Sequence, residues 1–274
     1  MKAFLLIVLG LFLLVVAVLY FGQGNLIYYP RRYSAAHKAL EKVESVFYLS
    51  GGQKQWAYLF GREEGKSPAR VWWIFSGNGS VALDWVGRVE KVDPTIDQVF
   101  VLFDYPNYGF NRGRPHPKTI RRSVDDSIPV IAGKLGLPVD ELISRSRTVG
   151  HSLGSAVALD TAGRLGMHRV VAISPFTSMR DMADRNFGGV LTPLLNHHYD
   201  NETAIDLLLK SDPPASVIIF HGDSDRLIPD EMSRSLAARD AEGAAVQFRS
   251  VPGAGHNDIV GKITPELIAI FESR

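Results

Sequence analysis

Residues 147–154 read Arg-Thr-Val-Gly-His-Ser-Leu-Gly and set a serine between two glycines. A predicted strand ends at Val149, and Ser155–Leu165, rich in alanine and leucine, predicts a helix. A strand, a sharp turn and a helix around Gly-x-Ser-x-Gly are typical of a nucleophilic serine at the edge of a sheet. Glycine suits positions 150 and 154 because a Cβ there would crowd the crossing of strand and helix. The pentapeptide alone is a weak signal, so its meaning depends on the rest of the chain.

Composition favours a single α/β domain. The chain has 274 residues, of which 46% are hydrophobic and 22% charged, enough for one large core. No linker rich in proline, glycine or serine divides it, and no internal repeat is visible. A formal net charge of +1 without a basic cluster gives no reason to expect a nucleic-acid partner. The absence of cysteine excludes disulfides, thiolate metal sites and a cysteine nucleophile.

The N terminus differs from everything that follows it. Ala3–Gly22 contains no charged residue, and about 20 apolar residues at roughly 1.5 Å each cover a hydrocarbon core of about 30 Å. We therefore predict a membrane anchor over residues 1–24 and a catalytic domain over residues 25–274. A cleaved signal peptide is the alternative, but Ala17–Tyr20 makes a poor cleavage site.

Charges around the apolar span do not fix its orientation. Lys2 and the α-amino group precede the span, whereas Arg31 and Arg32 follow it. The positive-inside rule therefore gives no clear preference, and the arginines could also rest against anionic headgroups. We favour a single-pass anchor with the catalytic domain outside the cytoplasmic membrane.

Apolar strand patterns and helical patterns alternate along the body of the chain. Val43–Leu49 and Gln55–Phe60, separated by Ser-Gly-Gly, predict an antiparallel hairpin at the sheet edge. Val71–Phe75 is apolar throughout, which is typical of a strand covered on both faces. Further strands are predicted at Gln98–Phe103, Ser146–Gly150, Arg169–Ile173, Val217–Phe220 and Val246–Val251, and helices at Val81–Lys91, Lys118–Leu135, Ser155–Leu165, Pro229–Asp240 and Asp258–Phe271. Pro129 should kink or split the second of these helices. The alternation predicts the α/β class, with a mostly parallel central sheet and helices on both faces.

One interval, residues 177–213, does not alternate. Its pattern is irregular apart from a short helix indicated at Ile205–Leu209. Ordinary loops in such folds have about 2–6 residues, and a longer stretch over the carboxyl edge of the sheet is typical of a lid. We predict a short lid here, although its apolar residues could equally fill space over the core.

Two further residues complete the chemistry that a serine nucleophile needs. A hydroxyl is a poor nucleophile until a base takes its proton and a carboxylate orients that base. In chain order the candidates are Ser152, Asp225 and His256, and the last two each follow a predicted strand. Loops at the carboxyl ends of parallel strands share one rim of the sheet, so the three can meet. Asp223 competes with Asp225, but we expect Asp223 to cap the turn.

The developing oxyanion also needs hydrogen-bond donors. One should be the backbone N–H of Leu153, at the start of the helix after the nucleophile. The second should come from the Ser-Gly-Asn-Gly loop after Val71–Phe75, with Asn78 preferred over Gly79. A phosphate cradle is the alternative for this loop, but it lacks the Gly-Lys-Ser/Thr ending of a P-loop.

Together these motifs resemble the α/β-hydrolase superfamily, and within it the small membrane-anchored serine hydrolases with a short lid, close to the serine-aminopeptidase-like branch. The resemblance implies a triad of Ser152, Asp225 and His256. It implies oxyanion donors at Asn78 and Leu153. The segments that carry it are the apolar N terminus, Gly24–Pro30, Ser76–Gly79, Asp104–Gly109, the turn at Ser152, His221–Asp225 and Gly255-His256.

The chain departs from the common family pattern at two places. Ser76 stands where many relatives have histidine, and Pro106-Asn107 stands where many have Arg-Gly. Neither change removes an expected oxyanion donor. Both alter the side of the site that would hold the leaving group.

Several other residues have simpler interpretations. His197 and His198 precede Asp200 at a spacing that suggests a metal fragment, but without further ligands a solvent-facing histidine pair on the lid is preferred. His151 should serve packing or the rim of the site. Trp72 should lie in the core with its neighbour at position 73 on the other sheet face.

The sequence therefore predicts a membrane-tethered serine hydrolase that cleaves an ester or thioester through an acyl-enzyme. The expected substrate is a small acyl compound, and a lid beside a bilayer favours a lipid-derived one. No metal or organic cofactor is expected, and the oligomeric state is left open. The alternatives are a serine peptidase or amidase, and a non-catalytic membrane-anchored binding scaffold.

Overall fold

A computed structural model describes residues 1–34, 36–189 and 192–273 of the chain. Its centre is an eight-stranded sheet with the strand order β1-β2-β4-β3-β5-β6-β7-β8. The strands are β1 (Glu44–Ser50), β2 (Gln53–Phe60), β3 (Arg70–Phe75), β4 (Gln98–Phe103), β5 (Ser146–His151), β6 (Arg169–Ile173), β7 (Ser216–Gly222) and β8 (Val246–Val251). β1 and β2 form an antiparallel hairpin, β2 joins β4 antiparallel, and all other neighbours are parallel. The predicted α/β sheet with its edge hairpin is confirmed.

Ten α-helices surround this sheet in the described part of the chain. They are α1 (Lys2–Ile27), α2 (Val86–Val89), α3 (Pro117–Leu135), α4 (Val139–Arg145), α5 (Leu153–Leu165), α6 (Met179–Phe187), α7 (Asn201–Leu209), α8 (Asp230–Ala237), α9 (Ile259–Lys262) and α10 (Thr264–Glu272). The helix predicted over residues 81–91 is shorter than expected, because a 3₁₀ turn over Ala82–Trp85 precedes α2. The C-terminal helix is divided in two at Ile263, just before Pro265.

The central strand β3 confirms the expectation for the two adjacent tryptophans. Trp72 and Trp73 are both fully buried, and neighbours along a strand point to opposite faces. The ring of Trp72 packs edge-on against Phe271 of α10, with centroids 5.0 Å apart. Trp73 donates its indole N–H to Ser146 Oγ at 2.9 Å, so its only polar atom is satisfied inside the core.

Of the two outcomes predicted for Pro129, a kink or a split of the helix, the split is wrong. The helix is continuous over Pro117–Leu135. Pro129 and Asp125, whose carbonyl loses its helical partner, are both exposed, so water can satisfy the freed oxygen. The opposite face of the helix buries Ile128 and Ile131 in the core, and this packing holds the helix together across the proline.

The irregular interval 177–213 has two different parts, and Val190 and Leu191 lie outside the described residues. α7 packs against α5 and buries Ile205 and Leu208, so it belongs to the body of the domain. α6 contributes no fully buried residue to the core, and a 3₁₀ turn at Thr192–Leu194 follows it. Only α6 and the residues just after it therefore remain as the predicted lid over the sheet edge.

Helix α1 is long and apolar enough to cross a membrane, and its most apolar window is not buried against the rest of the chain. Length and composition of this kind are also found in signal sequences. The helix ends at Ile27, three residues beyond the predicted boundary at residue 24. Its last turn meets the domain, where Gln23 and the following Tyr28 are buried.

Candidate active site

The turn between β5 and α5 places Ser152 in a strained backbone conformation. Its φ of 57° and ψ of −121° are unusual for a residue with a side chain. The N–H of Ser152 donates to the carbonyl of Ile173 at 2.8 Å, which fixes the turn to the next strand. A Cβ on Gly150 would lie 2.0 Å from the oxygen of Gly154, and one on Gly154 would lie 2.1 Å from the oxygen of Phe75. Both positions therefore require glycine.

The structure brings Ser152, His256 and Asp225 together. His256 Nε2 lies 2.8 Å from Ser152 Oγ, and His256 Nδ1 lies 2.7 Å from Asp225 Oδ2. Ser152 and His256 are nearly buried, and the Asp225 side chain is fully buried. Asp225 follows β7 and His256 follows β8, so the two loops meet at the carboxyl edge of the sheet as the sequence predicts.

The carboxylate of Asp225 is held by several donors. The N–H groups of Leu227 and Ile228 both donate to Oδ1 at 2.9 Å. Burial alone would raise the pKa of this carboxyl, but the hydrogen bonds from His221, His256 and Ile228 outweigh burial and hold the pKa well below its usual range. Asp225 is therefore an anion with little freedom to rotate.

Sequence reasoning missed the part that His221 takes in this arrangement. His221 is fully buried at the end of β7, and its Nε2 lies 2.9 Å from the carbonyl of Ile228 and 3.3 Å from Asp225 Oδ2. A carbonyl oxygen only accepts, so Nε2 carries a proton that also faces Asp225. Nδ1 lies 2.5 Å from Ser233 Oγ. The only sequence signal was its place four residues before Asp225.

Asp223 faces away from His256. Its Oδ1 accepts from the N–H of Gly253 at 2.7 Å, and thereby ties the loop after β7 to the loop after β8. Close approach of these loops also explains Gly222, where a Cβ would lie 2.1 Å from the oxygen of Ala254. Asp223 thus joins the two loops, and its predicted role as a cap of its own turn stays a prediction.

The two predicted oxyanion donors lie beside Ser152. Within the described residues, neither the N–H of Leu153 nor that of Asn78 donates to a protein acceptor. Asn78 is fixed by its other groups: its side-chain amide donates to the carbonyl of Ile27 at 3.0 Å, and its carbonyl accepts from Tyr108 Oη at 2.6 Å. Asn78 and Leu153 both line the same cavity as Ser152, and their role as oxyanion donors stays a prediction.

His151 contacts His256 on the side of its backbone carbonyl and its ring. Its Nε2–H donates to the carbonyl of His256 at 3.0 Å, and the two rings lie 5.0 Å apart. Burial and the neighbouring His256 lower the pKa of His151 to about 3. His151 is therefore neutral near pH 7 and adds a hydrogen bond without adding a charge.

A cavity of about 430 Å³ opens beside Ser152. Its walls come from the end of α1, from α6, from the residues after the 3₁₀ turn, and from the loop after β7. None of the described residues that line it is charged. They are Gln23, Leu26, Ile27, Tyr29, Asn78, Ser152, Leu153, Phe176, Met179, Met182, Ala183, Asn186, Phe187, Leu194, Leu195, Leu227 and Ile228.

The predicted solvent-facing histidine pair is wrong for His197, which is buried, while His198 is exposed. His197 Nδ1 lies 3.3 Å from Tyr28 Oη, and its ring lies 4.5 Å from that of His116. Burial and the nearby histidines lower the pKa of His197 to about 4. Among residues 1–34, 36–189 and 192–273, no group of three or more potential metal ligands is found.

The sheet order, the serine on the β5–α5 turn, and Asp225 and His256 after β7 and β8 are those of the α/β-hydrolase fold. Solved structures agree. An α/β hydrolase from Vibrio vulnificus superposes with a TM-score of 0.67 at 14% identity, covering 92% of this chain and 91% of that one. An esterase from Pyrococcus furiosus superposes with a TM-score of 0.67 at 14% identity, and the match covers 89% of this chain and 96% of the esterase chain.

Curated relatives are more similar in sequence but longer. An uncharacterized protein of Mycobacterium tuberculosis is 32% identical over 169 residues, which is 61% of this chain and 54% of that protein. Mouse alpha/beta hydrolase domain-containing protein 17C is 28% identical over 229 residues, 82% of this chain and 65% of that protein. The chain thus spans between half and two thirds of these relatives. No protein-family model matches the chain.

Proposed function

We propose that the protein is a serine hydrolase that cleaves an ester or thioester of an acyl substrate. The observation that carries this proposal is the continuous hydrogen-bonded line from Ser152 through His256 to Asp225, which ends at a cavity without charged side chains. The fold and the hydrolases with similar structures support a hydrolase in general.

In the proposed first step, Ser152 Oγ attacks the carbonyl carbon while its proton passes to His256 Nε2. The imidazolium that forms is stabilised by the anionic carboxylate of Asp225 on Nδ1. The negative oxygen of the tetrahedral intermediate accepts hydrogen bonds from the N–H groups of Leu153 and Asn78. Each donor of this kind contributes about 10²–10³ in rate.

Collapse of the intermediate breaks the bond from carbon to the leaving oxygen or sulfur, and His256 returns its proton to that atom. The acyl group stays on Ser152 Oγ. A water molecule then gives its proton to His256 Nε2 and attacks the acyl carbon. When the bond from carbon to Ser152 Oγ breaks, the proton goes back to the serine and the acid product is released.

The cavity supports an acyl substrate over an aminoacyl amide. An aminopeptidase must bind a positively charged amino group, which requires a carboxylate or several oriented acceptors. The described lining residues include none that is charged, and most are leucine, isoleucine, methionine or phenylalanine. An apolar acyl chain fits this lining without leaving a charge unpaired.

Labelling with a fluorophosphonate tests the nucleophile. We expect the wild-type chain to take the label and Ser152→Ala to take none, while Ser224→Ala, which changes a serine in the neighbouring loop, labels as wild type. An unlabelled wild type, or equal labelling of Ser152→Ala, contradicts the proposal. Turnover of acyl esters beside aminoacyl amides then separates esterase from peptidase, and faster amide turnover would favour the latter.

Helix α1 supports a single-pass membrane anchor for the catalytic domain, with the domain proposed outside the cytoplasmic membrane. Carbonate extraction of membranes from expressing cells tests the anchor. We expect the full-length chain to stay in the membrane pellet. Release into the soluble fraction contradicts anchoring, and protease protection of the domain in intact spheroplasts would contradict the proposed side.

A further inference from the structure

The end of helix α1 belongs to the cavity beside Ser152. Leu26 and Ile27 line this cavity together with Ser152. A membrane anchor that only tethers a domain has no need to contact the site. Here the apolar side chains of the last helical turn face the same space as the Ser152 hydroxyl.

Gln23 joins this turn to the far wall of the cavity. Its side-chain N–H donates to the carbonyl of Leu194 at 2.5 Å, and its Oε1 accepts from the N–H of Asn196 at 2.9 Å. Gln23 is buried, and it directly follows the apolar stretch that ends at Gly22. One side chain therefore fixes the segment after the lid helix to the end of the anchor.

A second link joins α1 to the oxyanion loop. The carbonyl of Ile27 accepts from the side chain of Asn78 at 3.0 Å, and the N–H of Tyr29 donates to the carbonyl of Asn78 at 3.1 Å. The helix end thus holds Asn78, the proposed second oxyanion donor. Because of these hydrogen bonds, the end of α1 forms part of the wall of the cavity and also holds two other wall segments in place.

A hydrocarbon core that ended with the apolar stretch at Gly22 would place this cavity at the level of the headgroups. Leu26 lies four residues beyond Gly22, which is about 6 Å along a helix, and the headgroup layer on each side is roughly 5–8 Å thick. The rim is apolar and exposed: Leu26, Phe187 and Leu227 have 55%, 59% and 54% of their surface accessible. An exposed apolar rim at this level suits contact with lipid.

We infer that the last turn of α1 forms a wall of the acyl-binding site, with Leu26 and Ile27 as specificity-determining residues for the length of the acyl chain. This inference rests on the proposed acyl ester hydrolysis. The acyl chain lies between α1 and α6, and its carbonyl oxygen points to the N–H groups of Leu153 and Asn78. The group that would be recognised is a linear hydrocarbon chain.

Chain-length selectivity of a wall variant tests the inference. The full-length chain is reconstituted in phosphatidylcholine vesicles, and kcat/KM is measured for p-nitrophenyl acetate and p-nitrophenyl dodecanoate. The wild type should prefer dodecanoate, because each methylene buried in an apolar site raises binding about fourfold. Leu26→Trp, which fills the cavity, should lower the ratio of dodecanoate to acetate at least about tenfold.

Leu14→Trp is the matched control, because Leu14 is an exposed apolar residue of the same helix that does not line the cavity. Its ratio should equal that of the wild type. Fluorophosphonate labelling of every variant confirms an intact site. Equal ratios for wild type and Leu26→Trp, or no preference for dodecanoate in the wild type, overturn the inference and leave the hydrolase proposal standing. A wild type that neither labels nor cleaves acetate overturns both.

Discussion

Ser152 lies between two regions that are built in different ways. On one side, the loops after β7 and β8 hold the acid and the base by hydrogen bonds between buried groups. On the other side, helices α1 and α6 present apolar and partly exposed side chains to the cavity. Hydrogen bonds fix atoms to within tenths of an ångström, whereas apolar contacts tolerate changes of shape.

The difference separates two tasks within one site. Reaction chemistry requires fixed distances between a nucleophile, a base and an acid, and these come from loops tied to the sheet. Selection of the proposed acyl chain would require only volume and an apolar lining, and these come from helices outside the sheet. Substitutions on the first side should therefore act on kcat, and substitutions on the second side on KM and on chain-length preference.

Asp225→Asn, in the hydrogen-bonded loops after β7 and β8, is expected to cause the largest loss of activity. An amide no longer stabilises the imidazolium or selects the Nδ1–H tautomer of His256, so kcat for an acyl ester should fall about 10⁴-fold. Asp223→Asn is the control, since Asp223 braces the neighbouring turn without reaching His256, and its loss of rate should be far smaller. Equal losses in the two variants would mean that Asp225 acts through folding of the loop.

Gly154→Ala should be the most damaging change of backbone at the site. Its Cβ would lie 2.1 Å from the carbonyl oxygen of Phe75, so the turn must shift and the protein should lose about 3 kcal/mol of stability. Gly133→Ala places a methyl group on the exposed face of α3 with nothing within 4 Å, and should gain about 0.5–1 kcal/mol. Thermal unfolding in detergent, followed by circular dichroism, measures both. A stable Gly154→Ala protein would mean that the crossing of β5 and α5 can open enough to admit a methyl group.

Acidification should weaken the hydrogen-bonded side through His151. The folded protein holds the pKa of His151 at about 3, whereas the unfolded chain has a histidine pKa of about 6.5. Above pH 6.5 both states are neutral, and as pH falls from 6.5 towards 3 the unfolded state binds the proton first, so stability decreases. At pH 5 the loss should be on the order of 2 kcal/mol, because the unfolded histidine is then mostly protonated while the folded one stays neutral.

His151→Gln removes this titration. Unfolding free energies measured at pH 7 and pH 5 should therefore differ less in the variant than in the wild type. An unchanged difference would assign the acid sensitivity to other groups, such as His197.

Gln23→Met, in the apolar cavity wall at the end of α1, should have the smallest effect on activity. Loss of its two hydrogen bonds frees the segment at Leu194 and Asn196, and net hydrogen bonds are each worth about 0.5–1.5 kcal/mol. KM for p-nitrophenyl dodecanoate should rise about three- to tenfold with little change in kcat. Gln53→Met, at an exposed position in β2, is the control. A fall in kcat without a rise in KM would mean that Gln23 affects the reaction step and not the binding of the acyl chain.

Much of the fold and the placement of the candidate site followed from local patterns. Buried strands such as β3 are continuous apolar runs, and the two glycines around Ser152 match the close crossing of β5 and α5. Convergence of Ser152, Asp225 and His256 could be predicted because topology alone brings the carboxyl ends of parallel strands to one rim. Their roles in catalysis stay predictions until the kinetic experiments are done.

Other features depend on contacts that no local pattern encodes. Gln23 donates a hydrogen bond to Leu194, which is 171 residues away in the sequence. Its buried position in the cavity wall could therefore not be predicted from the apolar pattern of the N terminus. His197 was expected in solvent because histidine pairs are polar, but Tyr28 and His116 cover it. The continuity of α3 through Pro129 depends on which face of the helix meets water.

The contact between the end of α1 and the cavity affects how turnover should be measured. If α1 anchors the protein in a bilayer as proposed, the proposed acyl-binding site lies at the membrane surface and meets a lipid substrate in two dimensions. Mole fraction of acyl ester in the membrane, and not molarity in the buffer, is then the variable that sets the rate. Diluting the ester with inert lipid should slow turnover, whereas diluting the vesicles with buffer should leave the rate per enzyme molecule unchanged.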